Sequence, residues 1–211
     1  MIDLYTYRTS NGRKASIMLE ECGLDYVLHI VDITRGEQDV PAFRTINPNG
    51  RIPAIVDREG VGGPDSAPLV LFESGAILLY LAQKTGLFLP EDEKDRWRAV
   101  QWLMFQMGGV GPMFGQAHHF RRAQTQVEYG VKRYTTEARR LWGVLDGHLA
   151  GSEFMHGDYS IADVAIYPWT ARYDWQGVAL EEFPNVNRWF ETVGARPAVA
   201  KAMAINLAEA A

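Results

Sequence analysis

The segment Thr9-Ser10-Asn11-Gly12 places two hydroxyl groups and an amide between a predicted strand and a predicted helix. Donors at a helix N-terminus favour the thiolate form of a nearby thiol, because the helix dipole and charge-assisted hydrogen bonds stabilise the anion. Lowering a thiol pKa by two units from about 8.5 requires about 2.7 kcal/mol. One hydrogen bond to a charged group supplies roughly 1.5–3 kcal/mol, so no general base is needed. The ordinary alternative is a helix cap built from these residues.

A proline-containing loop at residues 47–54, Asn-Pro-Asn-Gly-Arg-Ile-Pro-Ala, leads into a predicted strand. Proline is tolerated at the first residue of a strand or in an unusual geometry. A cis Ile52–Pro53 bond would turn the chain sharply and leave the Ile52 backbone facing outward, where it could pair with an extended peptide ligand. The alternative is an ordinary loop with a strand-capping proline, and these residues by themselves favour it.

A third segment, Phe72-Glu73-Ser74-Gly75, precedes another apolar helix pattern. Ser74 is predicted to cap this helix, whose first turn offers free N–H groups and the positive end of the helix dipole. A ligand carboxylate would be well held there, and Glu73 could meet an ammonium group. The alternative is a plain N-cap without a ligand.

The strands and helices that position these residues are predicted from the spacing of apolar residues and from the Gly and Pro residues at which elements end. The first 86 residues predict the order β-α-β-α-β-β-α, with parallel pairing of the first strands and a hairpin at the end. Residues 58–68, rich in Gly and Pro, are predicted to form the long hairpin connection. The predicted strands are 2–7, 26–31, 52–57 and 69–72, and the predicted helices end at Gly23, at Asn47 and at Lys84.

The composition changes after a polar linker at residues 87–94, and every later segment predicts helix. We therefore expect domains at 1–86 and 95–211, the second all-helical. Apolar residues recur every three or four positions between Val131 and Leu149, and likewise from Trp97 to Met107. Pro112 should kink the helix in which it lies.

The bulk composition narrows the class of protein. Hydrophobic residues make up 47% and charged residues 22%, as in ordinary globular proteins. The net charge of −5 is spread along the chain and gives no basic footprint for nucleic acid. No signal peptide is recognisable, and the longest apolar run, residues 76–82, is too short to span a bilayer. The single cysteine, Cys22, excludes a disulfide framework and indicates a reducing compartment.

The three segments occur in an order that resembles the cytosolic glutathione transferases over the whole length of the chain. The runs that carry the resemblance are NPNGRIPAIVD (47–57), LFESGAILLYLA (71–82) and SIADVAIYPW (160–169). In this family the last run is a capping box, Ser160 with Asp163, that serves folding. Within the family, TSNGRK (9–14), QWLMFQMGGVGPMFGQAHHF (101–120) and VKRYTTEARRL (131–141) are similar to the bacterial nu class. Those enzymes and the related yeast nitrogen regulator are linked to glutathione-dependent disulfide reduction.

The resemblance implies a thioredoxin-like N-terminal domain, an all-helical C-terminal domain and roles for particular residues. Thr9 and Asn11 would hold the glutathione sulfur without a protein cysteine. Ile52 would pair with the cysteinyl backbone of glutathione, with Pro53 in the cis form behind it.

The same resemblance implies that Glu73 and Ser74 bind the γ-glutamyl end of glutathione. Gln38 and Arg51 would reach the glycine side or a second glutathione, and Arg133 would close over the ligand from the helical domain. The alternative for Arg133 is a solvated basic helix face.

Other residues of the sequence could take part in the same chemistry. Tyr7 ends the first strand, where other classes of the family carry a catalytic tyrosine, so its hydroxyl could replace Thr9 and Asn11; packing is the alternative. Ser10 is a further hydroxyl in the turn. Cys22 lies roughly 16 Å along the helix from Asn11 and is expected to be buried and inert. Adjacent histidines at 118 and 119 lack metal-ligand spacing, so no metal is expected.

The leading hypothesis is a cytoplasmic glutathione-dependent disulfide reductase. Glutathione would be the co-substrate, with two molecules per site as one possibility, and a small or exposed disulfide the partner substrate. A homodimer is implied by the resemblance, with no nucleic-acid or membrane partner. The alternatives are a conventional transferase that conjugates glutathione to electrophiles and a non-catalytic binding or regulatory module on the same fold.

Overall fold

The computed structural model describes residues 1–62 and 66–205, and these form two compact units. The first unit holds residues 1–87 together with the helix that begins at Pro197, and the second holds residues 88–196. Part of the predicted hairpin connection, residues 63–65, and the end of the predicted second domain, residues 206–211, lie outside the described residues.

The first unit follows the predicted order of strands and helices, with most element ends shifted by one or two residues. A 3-10 turn (Glu37–Asp39) precedes the short second helix. The elements are β1 (Ile2–Thr6), α1 (Ser10–Glu21), β2 (Tyr26–Ile30), α2 (Pro41–Arg44), β3 (Ala54–Asp57), β4 (Leu69–Phe72) and α3 (Ser74–Thr85).

The four strands form one mixed sheet in the order β2-β1-β3-β4. β1 pairs in parallel with β2, where Ile2 lies opposite Tyr26, and antiparallel with β3, where Tyr5 lies opposite Ala54. β4 pairs antiparallel with β3. This mixed sheet confirms the thioredoxin-like prediction, and it places the carboxyl end of β1 beside the start of β3.

The two faces of the sheet bury different residues. Leu4 points towards the side on which α1 and α3 pack, where Ile17, Leu19 and Ile77 are fully buried. A second cluster forms around Phe43 of α2, Val31 and Ala54, and Ile46 and Ile52 pack against it. The second cluster holds the loop before β3 against the sheet, so this packing fixes the position of Ile52.

The last described helix, α10 (Pro197–Ala204), packs against α1 rather than within the second unit. The Arg13 guanidinium donates to the carbonyl oxygens of Ala202 and Ile205, at 2.5 and 2.9 Å. Lys201 Nζ lies 2.7 Å from Glu20 Oε2. These contacts place the chain after Pro197 with the first unit, a long-range association that helix periodicity does not reveal. The boundaries 1–86 and 95–211 remain predictions as domain limits.

The second unit is helical throughout its regular elements, as predicted. Its helices are α4 (Glu93–Phe105), α5 (Gly111–Arg122), α6 (Glu128–Leu149), α7 (Ile161–Thr170), α8 (Tyr173–Gln176) and α9 (Pro184–Gly194), with a 3-10 turn at Leu180–Glu182. Within the described residues, no helix has both the length and the apolar character that crossing a membrane requires.

A π-helical turn (Gln106–Val110) joins α4 to α5 at the place where the sequence predicts a kink. The Gly111 N–H bonds to the Gln106 carbonyl, five residues earlier, so Pro112 enters the first turn of α5 where its missing N–H costs no regular hydrogen bond. The buried residues of α4 are Ala99 and Leu103, whereas Trp97 is 64% exposed. The apolar residues predicted along α4 therefore do not form its buried face.

The predicted capping box at the start of α7 is present. The buried Asp163 carboxylate accepts from the Ser160 N–H and the Trp189 indole N–H, at 2.9 and 2.8 Å. It also accepts from the Met155 N–H at 2.9 Å. Burial raises the pKa of Asp163 despite these donors. The box therefore joins α7, α9 and the preceding loop, which is a folding role.

Asp3 in the central strand β1 links both neighbouring strands by charge. Its carboxylate accepts two hydrogen bonds from Arg58, at 2.6 and 2.7 Å, and lies 2.8 Å from His29 Nε2. The hydrogen bond with Arg58 is the main cause that lowers the pKa of Asp3 to about 2, followed by that with His29 against the opposing effect of burial.

We predict that Asp3→Asn lowers the free energy of unfolding at neutral pH. In the variant this free energy should also fall less steeply as the pH is lowered. Because the folded-state pKa lies below the unfolded value, the stabilisation is present above about pH 4 and is lost as pH falls towards about 2. Arg58 is partly exposed, so we expect a loss of only about 1–2 kcal/mol at pH 7. Denaturant unfolding between pH 2.5 and 7, with the exposed Asp25→Asn variant as control, measures this. An equal decrease in the free energy of unfolding between pH 7 and pH 2.5 in wild type and Asp3→Asn would contradict the prediction.

Candidate functional site

The loop before β3 is shaped by one buried side chain. Asn47 is 1% exposed, donates its amide to the Arg51 carbonyl at 2.6 Å, and accepts from the Asn49 N–H at 2.9 Å. Gly50 takes a φ of 62°, and a β-carbon there would lie 2.5 Å from the Arg44 guanidinium carbon. The positive φ favours glycine in this turn, which brings Arg51 and Ile52 back to the sheet.

The Ile52–Pro53 peptide bond is cis, as the resemblance implied and contrary to the ordinary loop that the residues alone favoured. Regular pairing of β3 with β1 begins only at Ala54. Among the described residues, none hydrogen-bonds to the Ile52 backbone. A peptide-like ligand can therefore add to the sheet at this position by backbone hydrogen bonds.

Two adjoining cavities of the first unit share Asn11, Arg51 and Ile52. The larger, about 310 Å³, is also lined by Thr9, Ile33, Gln38 and Gly50. The smaller, about 150 Å³, is also lined by Asn47, Asn49, Pro53, Glu73 and Ser74. The structure thus brings together every predicted site residue of the N-terminal domain, although the role of each remains a prediction.

Thr9 is the N-cap of α1, and its Oγ1 accepts the Gly12 N–H at 3.0 Å. An accepting hydroxyl keeps its own proton to donate, so the Thr9 O–H can bond an anion in the larger cavity. Asn11 occupies the second position of α1 and lines both cavities. The helix N-terminus adds its partial positive charge at the same point. This arrangement can stabilise a bound thiolate.

Tyr7 and Ser10 do not line either cavity. Both are buried, at 5% and 4% exposure. Hydrogen bonds from Thr34, and more weakly from the Tyr7 hydroxyl, lower the pKa of Asp32, so the tyrosine hydroxyl is directed to that carboxylate. Packing is thus the better interpretation of Tyr7 among those left open by the sequence.

The start of α3 differs from the predicted cap. Glu73, not Ser74, is the N-cap residue: its carbonyl accepts the Ile77 N–H at 3.0 Å, and its side chain makes no capping hydrogen bond. Glu73 has a φ of 70°, which side-chain-bearing residues adopt at a cost of about 1–3 kcal/mol. Ser74 is therefore the first helical residue, and the strained conformation presents both residues to the smaller cavity.

Gln38 lies in the 3-10 turn, where its amide nitrogen donates to Asp39 at 2.9 Å. Its Oε1 is buried without a hydrogen-bond partner among the described residues. Arg51 donates to the Gly50 carbonyl at 3.1 Å and lines both cavities. The larger cavity therefore offers an unused acceptor and a guanidinium to a polar ligand.

Lys14, one turn along α1 from Thr9 and Asn11, is a residue that the sequence reasoning missed. It is 1% exposed, and its Nζ donates to Ser74 Oγ at 3.3 Å. Burial lowers the pKa of Lys14 to about 7, against an opposing effect of Glu73. The signal in the sequence was that Lys14 shares a helix face with Ile17 and Met18, which predicts a buried side chain. A lysine is almost never fully buried without a partner, so such a position draws attention to its surroundings.

Arg133 and Cys22 are the remaining candidates. Arg133 belongs to α6 in the second unit, where it is exposed and its guanidinium lies 5.8 Å from the Tyr134 ring. Cys22 follows the last residue of α1, 3.5 Å from Thr85 Oγ1, and is half-buried where the sequence predicted a buried residue. Burial raises the pKa of its thiol, which favours the inert form. No metal-binding cluster occurs among residues 1–62 and 66–205.

Two family models, a curated relative and several solved structures match the chain. The glutathione S-transferase N-terminal domain model matches residues 10–84, and the C-terminal domain model matches residues 108–197. The disulfide-bond oxidoreductase YfcG of Escherichia coli (strain K12) is 48% identical over 205 residues, covering 96% of this chain and 94% of that protein.

Two solved structures are similar over nearly the whole chain. A glutathione transferase from Burkholderia graminis, with two glutathione molecules bound per subunit, has a TM-score of 0.90 at 47% identity, covering 96% of this chain and 87% of that one. A glutathione transferase from Pseudomonas putida, with one glutathione disulfide per subunit, has a TM-score of 0.90 at 44% identity, covering 97% and 91%.

We predict that Glu73→Gly is more stable than Glu73→Ala by about 1 kcal/mol. Both variants remove the carboxylate, but only glycine adopts a positive φ without a steric penalty. Thermal unfolding should show a midpoint about 2–4 °C higher for the glycine variant. Glu73→Gln, which keeps the β-carbon, should resemble the alanine variant. Equal midpoints for the glycine and alanine variants would show that residue 73 is not strained.

Proposed function

The chain belongs to the glutathione S-transferase family, and we propose that it is an enzyme that uses bound glutathione to reduce disulfide bonds. The observation that carries the proposal is a thiolate site without a protein thiol. Thr9 and Asn11 stand at the start of α1, beside the cis Ile52–Pro53 loop, whereas the single cysteine lies at the other end of that helix. Glutathione must then supply the reacting sulfur.

In this proposal glutathione lies extended across the two cavities. The Ile52 backbone pairs with the cysteinyl residue of glutathione, and the sulfur is directed towards Thr9 and Asn11. The γ-glutamyl carboxylate meets the N-terminus of α3 at Ser74, and its ammonium meets Glu73. Gln38 and Arg51 bind the glycine side or a second glutathione, and Arg133 acts from the helical unit.

The reaction needs two glutathione molecules for each disulfide. The first thiolate attacks one sulfur of the disulfide, the S–S bond breaks, and a substrate thiolate leaves and takes up a proton. The resulting mixed disulfide is attacked by the second glutathione. Glutathione disulfide and a second substrate thiol are the products. The two glutathiones, or one glutathione disulfide, per subunit of the similar structures support this stoichiometry.

The experiment compares two glutathione-dependent rates of the purified protein: reduction of a small symmetrical disulfide and conjugation to an aryl halide. Fast reduction with slow conjugation supports the proposal. Fast conjugation with little reduction would instead identify a conventional transferase. Absence of both, together with no retention on a glutathione resin, would favour a regulatory module.

We predict that Thr9→Ala/Asn11→Ala lowers kcat/KM for disulfide reduction about 10–100-fold, because the two side chains together supply about the 2.7 kcal/mol that lowers the pKa of the bound thiol by two units. Steady-state kinetics at pH 7 measures this. Tyr7→Phe and Cys22→Ala are the matched controls and should retain most of the wild-type rate. Full activity of the double variant would show that Thr9 and Asn11 do not stabilise the thiolate.

We further propose that the protein acts as a homodimer in the cytoplasm. A single cysteine and a dependence on reduced glutathione suit a reducing compartment. Each unit exposes apolar side chains: Val70 and Phe72 on the edge strand β4, and Trp97 and Met104 on α4. Exposed apolar groups of this kind are typical of protein interfaces.

If β4 contributes to the dimer, Phe72→Arg should weaken association at least ten-fold, since it places a charge in an apolar interface. Sedimentation equilibrium measures the dissociation constant. Val27→Arg is the matched control, because Val27 lies on the opposite edge strand β2 and has nearly the same exposure, 37% against 36%. Equal association of the two variants would exclude β4 from the interface.

A further inference from the structure

A cavity of about 440 Å³ in the second unit is bordered by cationic side chains that the proposed function does not use. It is lined by His118, His119 and Arg122 from the last two turns of α5, together with Gly115 and Ala123. The spacing of the two histidines argued against a metal site and left them without a role. Their position beside an arginine at one cavity calls for a different ligand chemistry.

Two guanidinium groups meet on one indole ring next to this cavity. The guanidinium carbon of Arg122 lies 3.7 Å from the centre of the Trp175 ring, and that of Arg172 lies 4.4 Å from the same ring. His118 stacks on Trp169 at 5.6 Å and meets Trp175 edge-on at 5.4 Å. These ring contacts restrict both guanidinium groups before any ligand arrives, which lowers the entropy cost of binding.

The electrostatic potential at this place is positive. Burial, followed by the positive charges of Arg172 and Arg122, lowers the pKa of His118 to about 4, and the negative charge of Asp174 offsets only part of this effect. Within residues 1–62 and 66–205, no carboxylate forms an ion pair with Arg122. The chain as a whole has a net charge of −5, so this accumulation of positive charge is a local feature.

The end of α5 explains part of the cluster. The partial negative charge at a helix C-terminus favours cations in the last turn, and His119 and Arg122 lie there. Arg172 comes from a different segment, between α7 and α8, and the α5 terminus gives no reason for its position. Cations from two segments that converge beside a cavity are suited to an oxyanion.

We infer that this cavity binds a phosphate group, either free or on a phosphomonoester, at a site separate from the glutathione site. A guanidinium presents parallel N–H donors that match two phosphate oxygens, and two guanidinium groups favour a dianion over a carboxylate. Gly115 leaves room for the rest of an ester, because a β-carbon there would lie 3.3 Å from the Trp169 ring. That ring then forms an apolar wall behind the phosphate.

The test follows the imidazole NMR signals of His118 and His119 while sodium phosphate replaces sodium chloride at constant ionic strength and pH 8. Phosphate is mostly a dianion under these conditions, and we expect saturable shifts of both signals. A second titration uses phenyl phosphate. Tighter binding of phenyl phosphate than of phosphate would support the site and indicate an ester, and equal or weaker binding would support it and indicate free phosphate. Absence of a saturable shift with either probe would overturn the inference.

Arg122→Gln should weaken phosphate binding about ten-fold, because a charge-assisted hydrogen bond is lost. Arg122 is exposed, so this variant is expected to fold. Arg98→Gln is the matched control, since it removes an exposed arginine from α4 of the same unit and should leave the affinity almost unchanged. Equal weakening by the two variants would reflect net charge alone and would overturn the inference.

Saturating S-methylglutathione should leave the affinity for phosphate unchanged. Competition between the two ligands would assign the phosphate to the glutathione site and would overturn the inference. The comparison of Arg122→Gln with Arg98→Gln uses no glutathione, so failure of the proposed function would leave that part of the test intact.

Discussion

The hydrogen bond from the Gly12 N–H to Thr9 Oγ1, 3.0 Å long, fixes where α1 begins, and the candidate site depends on that point. This hydrogen bond starts the helix shortly after β1 ends, and it directs the next N–H groups towards the larger cavity. Because Thr9 Oγ1 accepts in this bond, its own proton stays available for an anion. A β-carbon at residue 12 would lie 2.2 Å from the Tyr7 carbonyl oxygen, so the tight turn requires glycine. The helix dipole and the side-chain donors therefore act at one place.

The site is assembled where two helices begin and where the sheet stops short. The starts of α1 and α3 both border the cavities, and the cis bond before Pro53 delays regular pairing of β3 until Ala54. Two residues at this site carry a cost to stability: Glu73 has a positive φ, and Lys14 is a buried lysine. Departures from local preference cluster at this site, which is typical of sites that act on a ligand.

The sequence predicted the strands and helices well because Gly, Pro and hydrophobic period mark them locally. It placed Thr9, Asn11, Ile52 and Ser74 near one another through the resemblance, since no local pattern reports distances across the sheet. Other features depended on tertiary context. The N-cap at Glu73 follows from a backbone angle that residue type disfavours, and the packing of α10 on α1 follows from long-range contacts. Lys14 was missed because a lysine in a helix pattern is ordinarily exposed.

The central claim is that the protein activates the thiol of glutathione with Thr9 and Asn11 and with no thiol of its own. The most direct measurement is the pKa of the bound glutathione thiol, followed by thiolate absorbance in a Cys22→Ala background. The account predicts a pKa about two units below the free value of about 8.5, returning towards that value in the Thr9→Ala/Asn11→Ala variant. A bound thiol that titrates like free glutathione, with disulfide reduction intact, would contradict it.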